Sequence, residues 1–166
     1  MYINKVDGPI IAIETGCSFY WTPDSEQYLS TPCIVKYLVK PTIGVLYSFD
    51  IDEDKIRICH DNMKRLGLDQ YVVFVHGDSV ENIKKSNIGG VNFVWLDSSE
   101  DSEHAQAEFD AVQPLLLDKH IICVDDYGCP NSVKWQQISN KMPAMGYTCS
   151  SYETPTGLIV GYKDTI

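Results

Sequence analysis

Short apolar runs alternate with amphipathic segments along most of the chain. The first run, in the stretch PIIAIETGCS from Pro9 to Ser18, ends on Glu14 and breaks at Gly16. A run of this length that is closed by a glycine predicts a buried strand that leads into a backbone turn. Four further runs of the same kind predict strands over Ile43–Phe49, Tyr71–Val75, Val91–Leu96 and Ile121–Val124.

The segments between these runs carry helix signals. Thr31 offers a capping hydroxyl just before Pro32, and Pro41 ends the apolar face that follows. Asp52 is predicted to cap the next helix, which Gly67 closes. The apolar spacing predicts three more helices, over about Val80–Lys85, after the polar segment Ser98–Glu103, and over about Ser132–Lys141.

Two segments near the end of the sequence, Tyr147–Glu153 and Leu158–Lys163, are separated by only four residues. A turn this short cannot hold a crossover, so these strands are expected to form an antiparallel hairpin. The earlier strands alternate with helices and are therefore expected to be mostly parallel. The predicted fold is one α/β domain over residues 1–166, a doubly wound, Rossmann-like sheet of about seven strands.

The net charge indicates the class of partner, and the cysteine content indicates the cellular compartment. The 166 residues carry a formal net charge of −10, which disfavours a nucleic-acid groove because such grooves neutralise phosphates with Lys and Arg. A small-molecule partner or a metal ion fits better. The six cysteines form no ligand-like pair, as is typical of free thiols in a reducing compartment. No leader or membrane span is recognisable, so we expect a cytoplasmic protein, monomeric or homodimeric.

Acidic residues follow every predicted parallel strand, namely Glu14, Asp50, Asp78, Asp97 and the pair Asp125–Asp126. For any one of them, a turn or a helix cap is the more common use of the side chain. Gathered at one edge without a balancing Lys or Arg, they would repel one another unless they bind a cation or a ligand's hydroxyl and amino groups.

Two sub-sites are predicted within this edge. Asp50 follows the second strand, where a nucleoside-binding sheet takes the ribose hydroxyls. Asp97, Asp125 and Asp126 follow two neighbouring strands and offer three oxygen ligands to one divalent cation such as Mg²⁺.

The ordered set of strand ends resembles the class I S-adenosylmethionine-dependent methyltransferases over nearly the whole chain. The nearest pattern is that of the catechol-type small-molecule O-methyltransferases and the related group with IDG-like and DDY-like strand ends. The residues that carry the resemblance are IETGCS (13–18), SFDID (48–52), HGDS (76–79), NFVWLD (92–97) and ICVDDY (122–127).

The resemblance implies a role for each matching residue. The cofactor S-adenosylmethionine would contact the strand ends through Glu14, Gly16, Ser30, Asp50, Ile51, Asp78, Ser79 and Asp97. The resemblance also allows Mg²⁺ or another divalent cation to bind Asp97, Asp125 and Asp126 and assist the reaction. Methyl transfer to an oxygen of a small molecule would use Asp97, with Glu100 as the base.

Three features depart from the family pattern. The loop after Gly16 has no second glycine and instead carries an insertion of about ten residues. Its aromatic residues, Phe19, Tyr20, Trp21 and Tyr28, are predicted either to cover the substrate or to pack on the sheet edge. Glu100 stands where the catechol type has a lysine.

Two other functions stay open at this point. A glycine-poor loop is compatible with an inactive nucleoside-binding module that serves as a partner or regulatory subunit. The same sheet with a metal site but no methyl donor would suit a hydrolase or a sugar-nucleotide enzyme, because fold alone does not decide the chemistry.

Overall fold

A computed structural model describes residues 8–18 and 29–164 of the chain. By its internal contacts the chain divides into two compact units, Met1–Ser79 and Val80–Ile166. The expectation of a single domain over the whole chain stays a prediction.

Three parallel strands form the sheet of the first unit. They are β1 (Ile11–Thr15), β2 (Val45–Asp50) and β3 (Val72–His76), and β2 lies between the other two. Their register pairs Glu14 with Ser48 and Asp50 with His76. The carboxyl ends of all three strands therefore lie at one edge, as the sequence predicted.

The first helical segment differs from its prediction. Helix α1 (Ser30–Ile34) continues as a π-helical turn over Val35–Val39 and a 3-10 turn over Lys40–Thr42. Leu29 holds the N-cap position without a side-chain hydrogen bond, so the prediction that Thr31 caps this helix was wrong. Its hydroxyl instead binds a buried carboxyl group.

Helix α2 (Glu53–Arg65) confirms the sequence signals at both of its ends. At its N-terminus, Asp52 Oδ1 accepts hydrogen bonds from the backbone N–H groups of Asp54 and Lys55, at 2.9 and 3.2 Å. Just past its C-terminus, Gly67 has a φ of +63°, the left-handed conformation that only glycine adopts at little cost.

Among its described residues, 80–164, the second unit contains four strands, three α-helices, the first of which begins one residue earlier at Ser79, and a 3-10 turn over Gln113–Leu115. In chain order the elements are α3 (Ser79–Lys85), β4 (Val91–Leu96), α4 (Ser102–Val112), β5 (Leu116–Asp125), α5 (Lys134–Ala144), β6 (Thr148–Tyr152) and β7 (Leu158–Asp164). Strands β4 and β5 are parallel, whereas β7 is antiparallel to both β5 and β6. The terminal hairpin is therefore confirmed, while β5 begins five residues earlier than the predicted Ile121 and α5 begins two residues later than predicted.

The fold class is the predicted one, a seven-stranded mixed sheet that is parallel except at its C-terminal strands. Each unit buries the apolar side chains of its strands and helices, such as Leu46 and Met63 in the first unit and Ile122 and Phe109 in the second. Within the described ranges, no helix is both long and apolar enough to cross a membrane.

A close backbone contact in the first unit gives a test of this packing. A Cβ atom added at Gly44 would lie 1.9 Å from the carbonyl oxygen of Ile10, which accepts a hydrogen bond from Val45. Gly44→Ala should therefore lower the free energy of unfolding by about 2–4 kcal/mol, measured by urea denaturation. The control Gly89→Ala meets no atom within 4 Å and should change it by less than about 0.5 kcal/mol. Equal effects of the two substitutions would contradict this backbone contact.

Candidate functional site

A buried carboxyl group ends the first strand. Glu14 has no exposed surface, and its two oxygens accept hydrogen bonds from three hydroxyl groups. Ser30 Oγ donates to Oε1 at 2.6 Å, and Thr31 Oγ1 and Ser48 Oγ donate to Oε2 at 2.8 and 2.7 Å. Three segments of the first unit, β1, β2 and α1, are therefore joined at one side chain.

The same hydroxyl groups hold the loop that follows β1. Ser18 donates its backbone N–H to Thr31 Oγ1 at 3.0 Å and receives the backbone N–H of Thr31 on its own Oγ at 3.2 Å. Ser18 Oγ also lies 2.7 Å from Ser30 Oγ. Because the Ser30 proton is directed at Glu14, Ser18 is the donor in this contact. The start of α1 is thus tied to the loop by side chains in addition to the backbone.

Burial sets the protonation of Glu14. It raises the pKa of this carboxyl group from its ordinary value of 4.5 to about 7, although the hydrogen bonds from the three hydroxyls lower the pKa. The predicted cofactor residues Glu14 and Ser30 are brought together here, and both oxygens of Glu14 accept hydrogen bonds from the protein's own hydroxyl groups. Glu14 therefore shapes the loop.

The turn at Gly16 is organised by Asp50, at the end of β2. Gly16 has a φ of +81° and donates its N–H to the carbonyl of Phe49 at 2.8 Å. Asp50 Oδ2 accepts the N–H of Cys17 at 3.0 Å, and Oδ1 accepts the N–H of Asp52 at 2.9 Å. Each oxygen of this carboxylate keeps a second lone pair, so it can still accept a hydrogen bond from a ligand.

The other predicted cofactor residues of this unit follow β2 and β3. Ile51 places an apolar side chain in solvent, 73% exposed, directly after Asp50. Its carbonyl lies 3.1 Å from His76 Nε2, and Gly77 donates its N–H to the carbonyl of Asp50 at 2.9 Å. Asp78 and Ser79 come next, and Ser79 is buried as the first residue of α3. The strand ends therefore place a carboxylate acceptor beside an exposed apolar residue.

In the second unit, two of the predicted metal ligands bind a lysine. Lys134 Nζ donates to Asp97 Oδ1 at 2.6 Å and lies 2.7 Å from Asp126 Oδ2, while its side chain is only 2% exposed. Glu100 Oε1 is 3.9 Å from the same nitrogen and is largely exposed. The expectation that these carboxylates lack a balancing Lys or Arg was therefore wrong for Asp97 and Asp126.

Asp125, the third predicted metal ligand, is engaged elsewhere. Its Oδ1 accepts the hydroxyl of Thr156 in the β6–β7 turn at 3.0 Å and the backbone N–H of Asp126 at 2.9 Å. Asp126 itself has a φ of +58°, the left-handed conformation that Asp and Asn tolerate better than most residues. This turn lets the neighbouring carboxyl groups contact different partners.

The pKa shifts of Lys134 and Asp97 indicate a charged lysine surrounded by more than one carboxyl group. Burial lowers the pKa of Lys134, but Asp97 and Asp126 outweigh it and raise that pKa above its ordinary value. The pKa of Asp97 is raised to about 7, because burial and, to a smaller extent, the charges of Asp125 and Asp126 raise it by more than Lys134 lowers it. One ammonium is therefore shared among several carboxyl groups.

A divalent cation does not fit this arrangement. Mg²⁺ and Ca²⁺ bind oxygens at 2.0–2.6 Å, and the two oxygens that would bind one already receive the ammonium of Lys134. At about 4 Å and an effective dielectric constant of about 20, the repulsion between a divalent ion and an ammonium is about 8 kcal/mol. Within residues 8–18 and 29–164, no group of three His, Cys, Asp or Glu side chains is placed to hold a metal. The predicted three-carboxylate metal site is thus not assembled.

Sequence reasoning missed four polar residues that these two clusters depend on. Three are the hydroxyl residues around Glu14, namely Ser18, Thr31 and Ser48, and the fourth is Lys134. The spacing of Lys134, Ile138 and Met142 is a signal that would have found the lysine, because residues four apart lie on one helix face and all three are buried. The predicted aromatic cover, Phe19, Tyr20, Trp21 and Tyr28, lies outside the described residues.

Comparisons with known proteins point to one family. A family model described as a methyltransferase domain matches residues 29–127, more than half of the chain. No curated protein matches the chain.

Solved structures share the fold at low sequence identity. A methyltransferase from Geobacter sulfurreducens is 10% identical with a TM-score of 0.71, over 99% of this chain and 74% of its own. A proposed methyltransferase from Streptococcus mutans in complex with SAH is 14% identical with a TM-score of 0.68, over 97% and 92%. A proposed caffeoyl-CoA O-methyltransferase from Staphylococcus aureus is 15% identical with a TM-score of 0.63, over 93% and 76%.

The raised pKa of Glu14 predicts how stability depends on pH. The folded protein keeps this proton up to about pH 7, whereas the unfolded chain releases it near pH 4.5. The folded state then binds more protons, so the free energy of unfolding should fall as the pH rises between these values, by roughly 3 kcal/mol in total. Glu14→Gln should remove this component from urea denaturation measured between pH 4.5 and 8.

The control for this measurement is Glu153→Gln, which changes an exposed carboxyl group. Its stability should follow the pH dependence of the unmodified protein. Parallel pH profiles for Glu14→Gln and the unmodified protein would show that Glu14 titrates normally in the folded state.

Proposed function

Because the chain belongs to the methyltransferase domain family, we propose that it transfers the methyl group of S-adenosylmethionine to an oxygen of a small molecule. The family match supports a methyltransferase as the activity. We further propose that the methyl acceptor is an oxygen atom, that the substrate is a small molecule and that the protein is cytoplasmic. The residues assigned below to cofactor and substrate are proposals as well.

The observation that carries the cofactor part is the carboxyl group of Asp50. It lies almost buried at the end of β2, and backbone N–H groups on either side fix its two oxygens. A carboxylate held in this way costs little further ordering when it accepts the two hydroxyl groups of a ribose. The exposed apolar side chain of Ile51 directly follows it and would pack against an adenine.

The remaining cofactor contacts follow from the same strand ends. Gly16, with its left-handed backbone, would bring the first loop close to the cofactor, and Glu14 and Ser30 would hold that loop from inside. Asp78 and Ser79 would border the adenine. Asp97 would face the amino group of the methionine part.

The reaction moves one methyl group and one proton. The bound cofactor supplies a methyl group on a positively charged sulfur, which makes that carbon electrophilic. Glu100 would accept the proton that the substrate oxygen loses when it takes this methyl group. The carboxyl group of Glu100 is 62% exposed and lies 3.9 Å from Lys134 Nζ, so it can accept a proton and release it to water. Rate enhancement would come mainly from positioning and from charge.

Cofactor binding is tested by calorimetry with S-adenosylhomocysteine. We expect saturable heat with the unmodified protein, and at least about tenfold weaker binding after Asp50→Asn, because hydrogen bonds to a charged group contribute about 1.5–3 kcal/mol. Asp54→Asn is the control, since Asp54 is exposed and its side chain pairs with Arg57; the affinity of this variant for S-adenosylhomocysteine should be unchanged. Folded protein that produces no heat at about millimolar ligand would remove the cofactor proposal.

Methyl transfer is tested with isotope-labelled S-adenosylmethionine and a panel of phenols, hydroxy acids, sugars, amines and thiols. We expect label on an oxygen acceptor, and a rate at least about tenfold lower for Glu100→Gln if this carboxyl group is the base. Glu103→Gln, an exposed neighbour in the first turn of α4, should keep the full rate. Label found only on nitrogen or sulfur would exclude O-methylation, and tight cofactor binding without any transfer would favour the inactive module.

A further inference from the structure

The ammonium of Lys134 occupies the place where the sequence predicted a divalent cation. It contacts two of the three predicted ligands, Asp97 Oδ1 at 2.6 Å and Asp126 Oδ2 at 2.7 Å. These lengths are those of strong, charge-assisted hydrogen bonds. The third predicted ligand, Asp125, accepts the hydroxyl of Thr156 instead. Asp97 and Asp126 therefore form an ion-pair network with a side chain of the protein itself.

Two features of the position of Lys134 disfavour a positive charge on its side chain, and the neighbouring carboxylates favour it. Lys134 is the first residue of α5, where the positive end of the helix dipole disfavours a cation. Its side chain is 2% exposed, and burial disfavours a charge as well. The carboxylates of Asp97 and Asp126 offset both effects, and Glu100 at 3.9 Å adds to them.

Packing also fixes the lysine so that it cannot easily move aside. Lys134, Ile138 and Met142 follow one another at four-residue intervals and are all buried, so the lysine lies on the packed face of α5. A metal ion that displaced the ammonium would leave a buried charge without its partners, which is strongly unfavourable. The network should therefore keep Lys134 in place when divalent cations are present.

We infer that Lys134 is the resident cation of this cluster, that it holds Asp97 and Asp126 in place, and that the protein uses no divalent cation there. The role assigned to Asp97 in methyl transfer rests on the proposed function, whereas the occupancy of the cluster by Lys134 does not. Lys134 is accordingly a positioning residue. Deprotonation of the substrate oxygen would depend on a carboxylate, without a metal to lower the pKa of that oxygen.

The test measures Mn²⁺ binding to the full chain by electron paramagnetic resonance. The unmodified protein should show no saturable site with a Kd below about 1 mM. Lys134→Ala frees the oxygens of Asp97 and Asp126 and should create a site at least about tenfold tighter. Adding Asp97→Asn to that variant should remove the new site. Lys141→Ala, which changes a half-exposed lysine of the same helix that pairs with Asp110, should behave like the unmodified protein.

Two outcomes would overturn the inference. The first is a tight Mn²⁺ site in the unmodified protein that Asp97→Asn abolishes, and the second is a folded Lys134→Ala variant that gains no site. If Lys134→Ala does not fold, the unmodified protein still decides the question. Its melting temperature should be equal in Mg²⁺ and in a chelator, because a ligand stabilises only the state that binds it, and a clear rise with Mg²⁺ would contradict the inference. Calorimetry with S-adenosylhomocysteine is independent of these measurements, so failure of the cofactor proposal would be recognised separately.

Discussion

A carboxyl group that leaves water needs hydrogen bonds or an opposite charge inside the protein, because desolvation of an unpaired charge is very costly. The strand ends of this chain meet that requirement in three ways. Glu14 accepts three hydroxyl groups, Asp50 accepts backbone N–H groups, and Asp97 and Asp126 share an ammonium. Each solution joins segments that are distant in sequence, so the same contacts that stabilise the carboxyl groups also position the loops at the sheet edge.

Hydrogen bonds around Glu14 fix the start of the first loop, which has a single glycine, Gly16. Hydroxyl groups of Ser18, Ser30 and Thr31 tie the residues after β1 to the start of α1, and Gly16 supplies a left-handed backbone conformation just before Ser18. The geometry of the turn is therefore set by side-chain hydrogen bonds where the related methyltransferases are expected to use further glycines. Ser18, Ser30 and Thr31 are held in this way by the chain's own contacts, which lowers the cost of ordering them when a ligand binds.

The Lys134 cluster changes the chemistry that the acidic strand ends would otherwise suggest. Three carboxylates at neighbouring strand ends are a typical set of ligands for a hard divalent cation. One ammonium placed between two of them supplies a single, fixed charge that cannot be removed by a chelator. Charge placement at this edge is then a property of the folded chain itself, independent of the metal content of its surroundings.

The sequence by itself determined the alternation of strands and helices, the terminal hairpin, and the acidic residue at each strand end, because apolar period and turn residues are local signals. It also determined the cap at Asp52, where donor and acceptor are two residues apart. Only the tertiary structure decided which group each carboxyl contacts. Thr31 is a good cap by its local sequence, yet its hydroxyl binds Glu14, 17 residues away, and Lys134 meets Asp97 across 37 residues. These contacts depend on how the helices and strands pack, and the local sequence around each residue does not indicate them.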